Sequence, residues 1–192
     1  MRIITPEKLS EKEQGYVLGL FIGDGYSNFN KKDRHYTVSF FLNSLRDGDI
    51  QERIVGIIDK FSLVSKVSKD PRYNVNKIRV YSKEFFYLLR TQENKLLTKP
   101  LTTFKKEFLL GVISGFIDAE GYVGHGMITI TQKDFTIMSV MKQICELLKI
   151  VCRVRTTVNK YGEWILRGDI ATSFKYLPHY SKKVERKYGC PS

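Results

Sequence analysis

Two acids occupy matched places in this chain. Asp24 and Glu120 each close an apolar segment, and each is followed by glycine. Gly15-Tyr16-Val17-Leu18-Gly19-Leu20-Phe21-Ile22-Gly23-Asp24-Gly25-Tyr26 repeats as Gly111-Val112-Ile113-Ser114-Gly115-Phe116-Ile117-Asp118-Ala119-Glu120-Gly121-Tyr122, an offset of 96. Small residues recur at every fourth position: Gly15, Gly19 and Gly23, then Gly111, Gly115 and Ala119. Residues four apart share one helix face. A face without side chains lets two helices approach more closely than the usual axial spacing of about 8–10 Å. Packed on each other, the two helices would bring Asp24 and Glu120 together at their C-terminal ends. Gly25 and Gly121 suit ordinary helix caps, but the acids do not suit a structural role. A helix C-terminus carries partial negative charge, so an acid there costs roughly 0.3–1 kcal/mol, and two such acids repel each other. Hard divalent cations prefer carboxylate oxygen and water and would relieve both problems. Two ions about 3.5–4 Å apart can activate water and stabilise the leaving oxygen in phosphodiester hydrolysis.

The elements that must hold these acids also repeat. Asp47, Ile50, Ile54, Ile57 and Phe61 match Asp134, Ile137, Met141, Ile144 and Leu148 at an offset of 87. The fall from 96 to 87 gives the first half nine extra residues, expected around Ser27 to Tyr36, a polar stretch that reads as a loop or long hairpin tip. Each half then runs from the acid-ended helix to a β-branched and aromatic run, Tyr36 to Leu42 or Met127 to Thr131. An amphipathic helix follows, Ile50 to Phe61 or Ile137 to Leu148. Two further strands are expected near Val64–Ser68 and Lys77–Tyr81, or Val151–Thr157 and Glu163–Arg167. A short aromatic helix closes each half, Phe85–Arg90 or Ser173–Tyr180. Thr91 to Pro100 is polar and ends in proline. The expected division is an N-terminal half at 1–92, a linker at 93–102 and a C-terminal half at 103–192.

The 192 residues include 32 Lys plus Arg against 20 Asp plus Glu, a formal charge of +12. That balance predicts an anionic partner, with nucleic acid the usual one. No amphipathic basic helix or lipidation signal points to a membrane surface instead. The longest apolar stretch, Phe108 to Ala119, already contains Asp118 and is shorter than the about 20 residues a membrane span needs. Met1 to Pro6 lacks the apolar run of a signal peptide. Cys145, Cys152 and Cys190 show no metal-ligand spacing and read as free thiols. An intracellular protein is expected.

The two segments resemble the signature of the LAGLIDADG homing endonucleases, VLGLFIGDG at 17–25 and ISGFIDAEG at 113–121, the second being the nearer match. The resemblance extends over nearly the whole chain. It implies an α+β fold of two pseudo-symmetric αββαββα halves, with the motif helices at their interface and curved antiparallel sheets forming a DNA-binding saddle. It also implies a single-chain monomer that cuts both strands of duplex DNA across the minor groove, leaves short 3′ overhangs and promotes intron mobility. Asp24 and Glu120 match the family's metal-binding catalytic acids, and the Gly23 and Ala119 carbonyls match positions that often add a ligand. Two or three Mg²⁺ or Mn²⁺ ions shared by the two acids are implied. Gln132 resembles a glutamine that orients water. Asn43 is its counterpart by residue type, although the offset of 87 selects Leu45. Lys95 and Lys183 are the nearest matches to a lysine that follows each final helix.

Strand alternation assigns the faces. Thr37, Ser39, Lys77, Arg79 and Tyr81 are expected outward in the first half, with Lys66 and Ser68 beside them. Thr129, Arg153, Arg155, Thr157, Glu163 and Arg167 are expected outward in the second half. Such faces can read the major groove, whose donor and acceptor pattern distinguishes all four base pairs. Lys31, Lys32, Arg34, Lys69, Arg72 and Lys160 suit phosphate contacts. The alternatives are an intron RNA maturase or a non-cleaving DNA-binding regulator of the same fold.

Overall fold

The structure, a computed structural model, describes residues 9–70, 72–155, 157–169, 177 and 181–188. The first half runs α1 (Glu11–Asp24), β1 (Gly25–Asn30), β2 (His35–Asn43), α2 (Gly48–Lys60), β3 (Ser65–Asp70), β4 (Val75–Tyr81) and α3 (Lys83–Thr98). A 3₁₀ turn, Leu101–Thr103, leads to α4 (Lys106–Glu120), β5 (Gly121–Gly124), β6 (Met127–Gln132), α5 (Phe135–Leu147), β7 (Cys152–Val154), β8 (Trp164–Asp169) and α6 (Lys182–Tyr188). The strands form two open antiparallel sheets of the same order, β1-β2-β4-β3 and β5-β6-β8-β7. No helix among the described residues is long and apolar enough to cross a membrane.

Local chemistry sets the helix starts. Ser10 and Glu13 form a reciprocal capping box on α1, with Glu13 N donating to Ser10 Oγ at 3.2 Å and Ser10 N donating to Glu13 Oε2 at 3.0 Å. Asp134 Oδ1 accepts from Thr136 N at 2.7 Å and starts α5. In α2, Ile50, Ile54, Ile57 and Ile58 are buried at helical spacing. They pack on the apolar face of the first sheet, where Val38, Phe40, Ile78 and Val80 are fully buried. The second half repeats this with Met138, Met141 and Ile144 against Ile128, Ile130 and Leu166.

The paired helices at the centre show why the small residues recur. A Cβ on Gly19 would lie 2.0 Å from the Val112 carbonyl oxygen, and one on Gly115 would lie 2.1 Å from that of Tyr16. Gly15 and Gly111 are as tight, meeting the Phe108 and Lys12 carbonyls at 2.0 and 2.2 Å. Backbone lies on backbone along the seam from Gly15 and Gly111 to Gly19 and Gly115.

Three readings of the sequence need correction. Strands β1 and β5 begin immediately after the acids, so Ser27 to Asn30 is strand and only the turn to Arg34 forms the hairpin tip. The nine extra residues are not all in that hairpin. Gly25 pairs with Phe40, 15 residues on, whereas Gly121 pairs with Ile130, 9 residues on, so six of the nine lie there. Phe40 to Asp47 takes 7 residues where Ile130 to Asp134 takes 4, so the other three lie at the end of β2 and in the connection to α2. Finally, α3 continues through Thr98, well past the expected end at Arg90, and makes most of the polar connector helical. The expected helix at Ser173–Tyr180 falls outside the described residues, apart from the buried Leu177.

Candidate active site

The glycine seam delivers Asp24 and Glu120 to one place. Both helices end on their acid, with Gly25 and Gly121 as C-caps in extended conformation. At the last contact of the seam, a Cβ on Gly23 would sit 2.3 Å from Ala119 Cβ and 3.2 Å from Glu120 Cγ. Burial raises the Asp24 carboxyl from its ordinary 3.8 to about 6; Lys183 opposes this and Asp47 adds to it. Burial likewise raises Glu120 from 4.5 to about 7, and the neighbouring Asp24 and Glu163 charges push the same way against Lys183. The two acids thus repel each other in a partly desolvated site.

Lys183 is the lysine brought to them. Its ammonium donates to the carbonyls of Ala119 and Gly121, both at 2.9 Å. The Ala119 carbonyl is therefore engaged by an ammonium, which weakens it as a metal ligand. Lys95 is not at the site; it is exposed in the last turn of α3 and does not contribute to the charge felt by either acid.

Asn43 and Gln132, the last residues of β2 and β6, turn their carboxamide oxygens onto their own chain. Asn43 Oδ1 accepts from Leu45 N at 2.9 Å and Arg46 N at 3.1 Å, and Gln132 Oε1 accepts from Lys133 N at 2.7 Å and Asp134 N at 3.2 Å. Strand register aligns Gln132 with buried Leu42, neither with Asn43 nor with Leu45. By register the first-half position of Gln132 is Leu42, while by its local hydrogen bonds Asn43 is the residue that resembles it. Beside the acids, a cleft of ≈390 Å³ is lined by Asn43, Arg46 and Asp47 from the first half and by Gly121, Tyr122, Lys183, Arg186 and Lys187 from the second. Arg186 spans it, reaching Asp47 at 3.3 Å, Asp49 at 3.1 Å and the Arg46 carbonyl.

The sheet faces away from the core carry basic rows. In the first sheet Lys66 pairs with Arg79, which pairs with Ser39; Ser68 pairs with Lys77, which pairs with Phe41; and Tyr81 pairs with Thr37. Paired residues share a face, so these side chains form one surface. The Lys77 ammonium stands 4.9 Å from the Phe41 ring centroid. In the second sheet Tyr122, Thr129, Arg167 and Arg153 form a continuous row, with Arg155 exposed just beyond it and Thr157 exposed in the following loop. Arg34 is exposed at the β1–β2 tip.

Two residues expected to read bases and one expected to contact phosphate are placed differently. Ser39 is on the correct face but only 1% exposed, covered by its neighbours. Glu163 lies outside β8 and is half-buried, exchanging hydrogen bonds with Asn159. Arg72 is exposed but makes a forked ion pair with Asp70, at 3.1 and 2.9 Å. Phe41 and Tyr122 belong to these faces and were missed. Strand alternation carries Thr37 and Ser39 on to Phe41, but an aromatic residue in an apolar run reads as core.

This geometry has known counterparts. The homing endonuclease I-DmoI, in its complex with DNA and Ca, matches with a TM-score of 0.71 at 20% identity over 88% of each chain. The chain has the LAGLIDADG homing-endonuclease fold. Full-length DUF199/WhiA from Thermatoga maritima also matches, with a TM-score of 0.64 at 14% identity over 92% of this chain and 58% of that one. An uncharacterized protein of Methanocaldococcus jannaschii is 26% identical over 161 residues, which cover 82% of this chain and 56% of that protein; the chain thus spans about half the length of its curated relative. No protein-family model matches.

Glu120 feels the charge of Asp24 and both acids share Lys183, so they form one site. Among the described residues no group of three or more His, Cys, Asp or Glu forms a metal cage. Two carboxylates with room for water fit a hard cation such as Mg²⁺, which keeps much of its hydration and rarely takes an all-protein cage. Without metal, the raised acids make stability depend on pH in a definite direction. Their contribution is fully present below about pH 4, where both are protonated folded or unfolded, and is lost as pH rises through about 6 and 7. Asp24→Asn removes the Asp24 share of that loss. The variant is expected to match the unaltered protein at about pH 3 and to exceed it at pH 8 by about 1–2 kcal/mol, a value reduced for the partial openness of the site. Thermal melts in chelator at the two pH values check this, and a variant that is less stable at pH 8 would show that Asp24 is held by favourable contacts.

Proposed function

We propose that the chain is a site-specific endonuclease of double-stranded DNA that uses divalent metal to hydrolyse phosphodiester bonds. One observation carries the reading: a helix seam of backbone-to-backbone contact ends in two mutually repelling, partly desolvated acids at matched positions. That arrangement is costly for a protein that only binds. The likeness to I-DmoI, solved in complex with DNA and with Mn or Ca, supports it.

In this reading the outward rows of both sheets bind the duplex. Lys66, Lys77, Arg79, Arg153, Arg155 and Arg167 take phosphates and base edges, Thr37, Ser68, Thr129, Thr157 and Tyr81 contribute polar contacts, and Arg34 adds a phosphate contact at the hairpin tip. Asp24 and Glu120 would hold Mg²⁺ or Mn²⁺, which supplies charge for activating water and for the leaving oxygen. Gly23 offers a further carbonyl at the seam. Lys183 places a fixed ammonium beside the acids, where it can offset negative charge building on a phosphate. Gln132 fixes the end of β6. Cleavage leaving short 3′ overhangs, action as a monomer and a role in intron mobility belong to the same proposal.

The occurrence of this fold in WhiA, a protein not named for cleavage, favours a second reading as a DNA-binding protein that does not cut. Incubation with a large randomised duplex library and Mg²⁺, followed by sequencing of broken ends, separates the two. One long recurring site cut only with metal establishes the endonuclease. Enrichment of bound duplex without broken ends would establish the second reading.

A further inference from the structure

Asp118 has no place in the chemistry above, yet it is the best-connected side chain near it. It is fully buried, 0% exposed, in the last turn of α4. Four donors converge on its carboxylate: Tyr16 Oη at 2.8 Å and Lys182 N at 2.8 Å on Oδ2, and Ser181 Oγ at 2.7 Å and Lys183 N at 3.0 Å on Oδ1. Tyr16 comes from α1, so one carboxylate ties together the helix of the first half, the helix of the second half and the start of α6. Ser181 completes the junction by accepting from Val184 N at 3.2 Å.

The repeat supplies an independent argument. The position of Asp118 in the first half is Ile22, an apolar residue in the same turn. Among the described residues the lysine whose charge reaches both acids is Lys183, of the second half, whereas Lys95 of the first half is exposed on α3. The half with the buried aspartate is the half with the lysine.

We propose that Asp118 is a positioning residue for Lys183, fixing the backbone of residues 181–183 so that the lysine ammonium stays on the Ala119 and Gly121 carbonyls beside Asp24 and Glu120. Asparagine cannot do the same work. Its amide nitrogen would face the Lys182 N–H or the Lys183 N–H, donor against donor, and one buried backbone group would be left unpaired.

The placement of Lys183 stands apart from the nuclease reading; only its effect on cleavage rests on that reading. The first measurement therefore needs no activity. The folded protein is labelled with an amine-reactive N-hydroxysuccinimide ester, and Lys183 is compared with exposed Lys95 by peptide mass spectrometry. Lys183 is expected to label about tenfold more slowly, from its two charge-assisted hydrogen bonds. Asp118→Asn is expected to remove most of that protection while melting stays cooperative. Should Asp118→Asn fail to fold, Ser181→Ala, which removes one donor to the carboxylate, is expected to lose part of the protection. Unchanged protection of Lys183 in the folded variants overturns the proposal. The second measurement is a cycle of single-turnover cleavage rates with Asp118→Asn, Lys183→Met and the double variant. Asp118→Asn is expected to lower cleavage about tenfold with lysine present and to have no effect in the Lys183→Met background, with duplex affinity in Ca²⁺ unchanged. Additive losses overturn it. If the unaltered protein cuts no duplex, the nuclease reading falls and the labelling alone decides the positioning.

Discussion

Replacing Asp24 by asparagine is expected to lower DNA cleavage by about 10³-fold or more while duplex affinity, measured in Ca²⁺ or without metal, stays within about threefold. The rate loss corresponds to at least about 4 kcal/mol of transition-state stabilisation, the scale of a lost cation or oxyanion contact. The side chain keeps its size and its place at the end of α1. What disappears is the charge that a divalent cation requires. The basic rows on the two sheets, to which the proposed reading assigns binding, are untouched. Single-turnover cleavage and gel-shift assays on the same preparation check both halves of the expectation. Cleavage that survives unchanged would remove Asp24 from the site. Loss of binding in step with cleavage would mean that the acid shapes the DNA surface.

The second large effect lies in the seam. Gly19→Ala is expected to destabilise the protein by about 3 kcal/mol or more. The new Cβ would lie 2.0 Å from the Val112 carbonyl oxygen and 2.9 Å from Phe116 N, so it meets the rigid backbone of α4. Forced overpacking of flexible side chains usually costs about 1–3 kcal/mol. Here two helices must separate along their length, and the gain of alanine over glycine in helix propensity, about 1 kcal/mol, recovers only part of that. Gly56→Ala is the matching control. Gly56 is inside α2 with nothing within 4 Å of the new atom, and the same substitution there should stabilise by about 0.5–1 kcal/mol. Chemical denaturation of the two variants reads opposite signs. Similar behaviour in both would mean that the seam is looser than its backbone contacts imply.

The sequence by itself determined the repeat, the helix pair and the meeting of Asp24 with Glu120. Those features rest on local and periodic information: glycine every fourth residue, an acid after each ridge, and isoleucines at helical spacing in α2. Backbone contact is available only to small residues, so the spacing carries the packing. The outward basic rows were legible for the same reason, because strand alternation fixes the face of Lys77, Arg79, Arg153 and Arg167 once their apolar neighbours are assigned to the core.

Tertiary structure decided the rest. The offset of 87 applied to α2 and α5 but not to β2 and β6, because insertions in the hairpin and in the β2–α2 connection add up in sequence while only strand pairing says where each falls. The offset therefore selects Leu45 opposite Gln132, and residue type selects Asn43, whereas register points to Leu42. Ser39 was on the expected face, but its burial depends on the neighbours across the sheet. Lys183 and Lys95 looked alike as lysines after a final helix. They are separated by where the chain goes next: α3 continues to Thr98 and leaves Lys95 in water, while the start of α6 is fastened to Asp118. That fastening joins residues 64 and 65 positions apart, and no local pattern encodes it. The one trace it leaves in the sequence is the exchange of Ile22 for Asp118 at matched positions of the repeat. A charge inside an apolar helix is tolerable only where buried donors surround it, and those donors come together only in the folded chain.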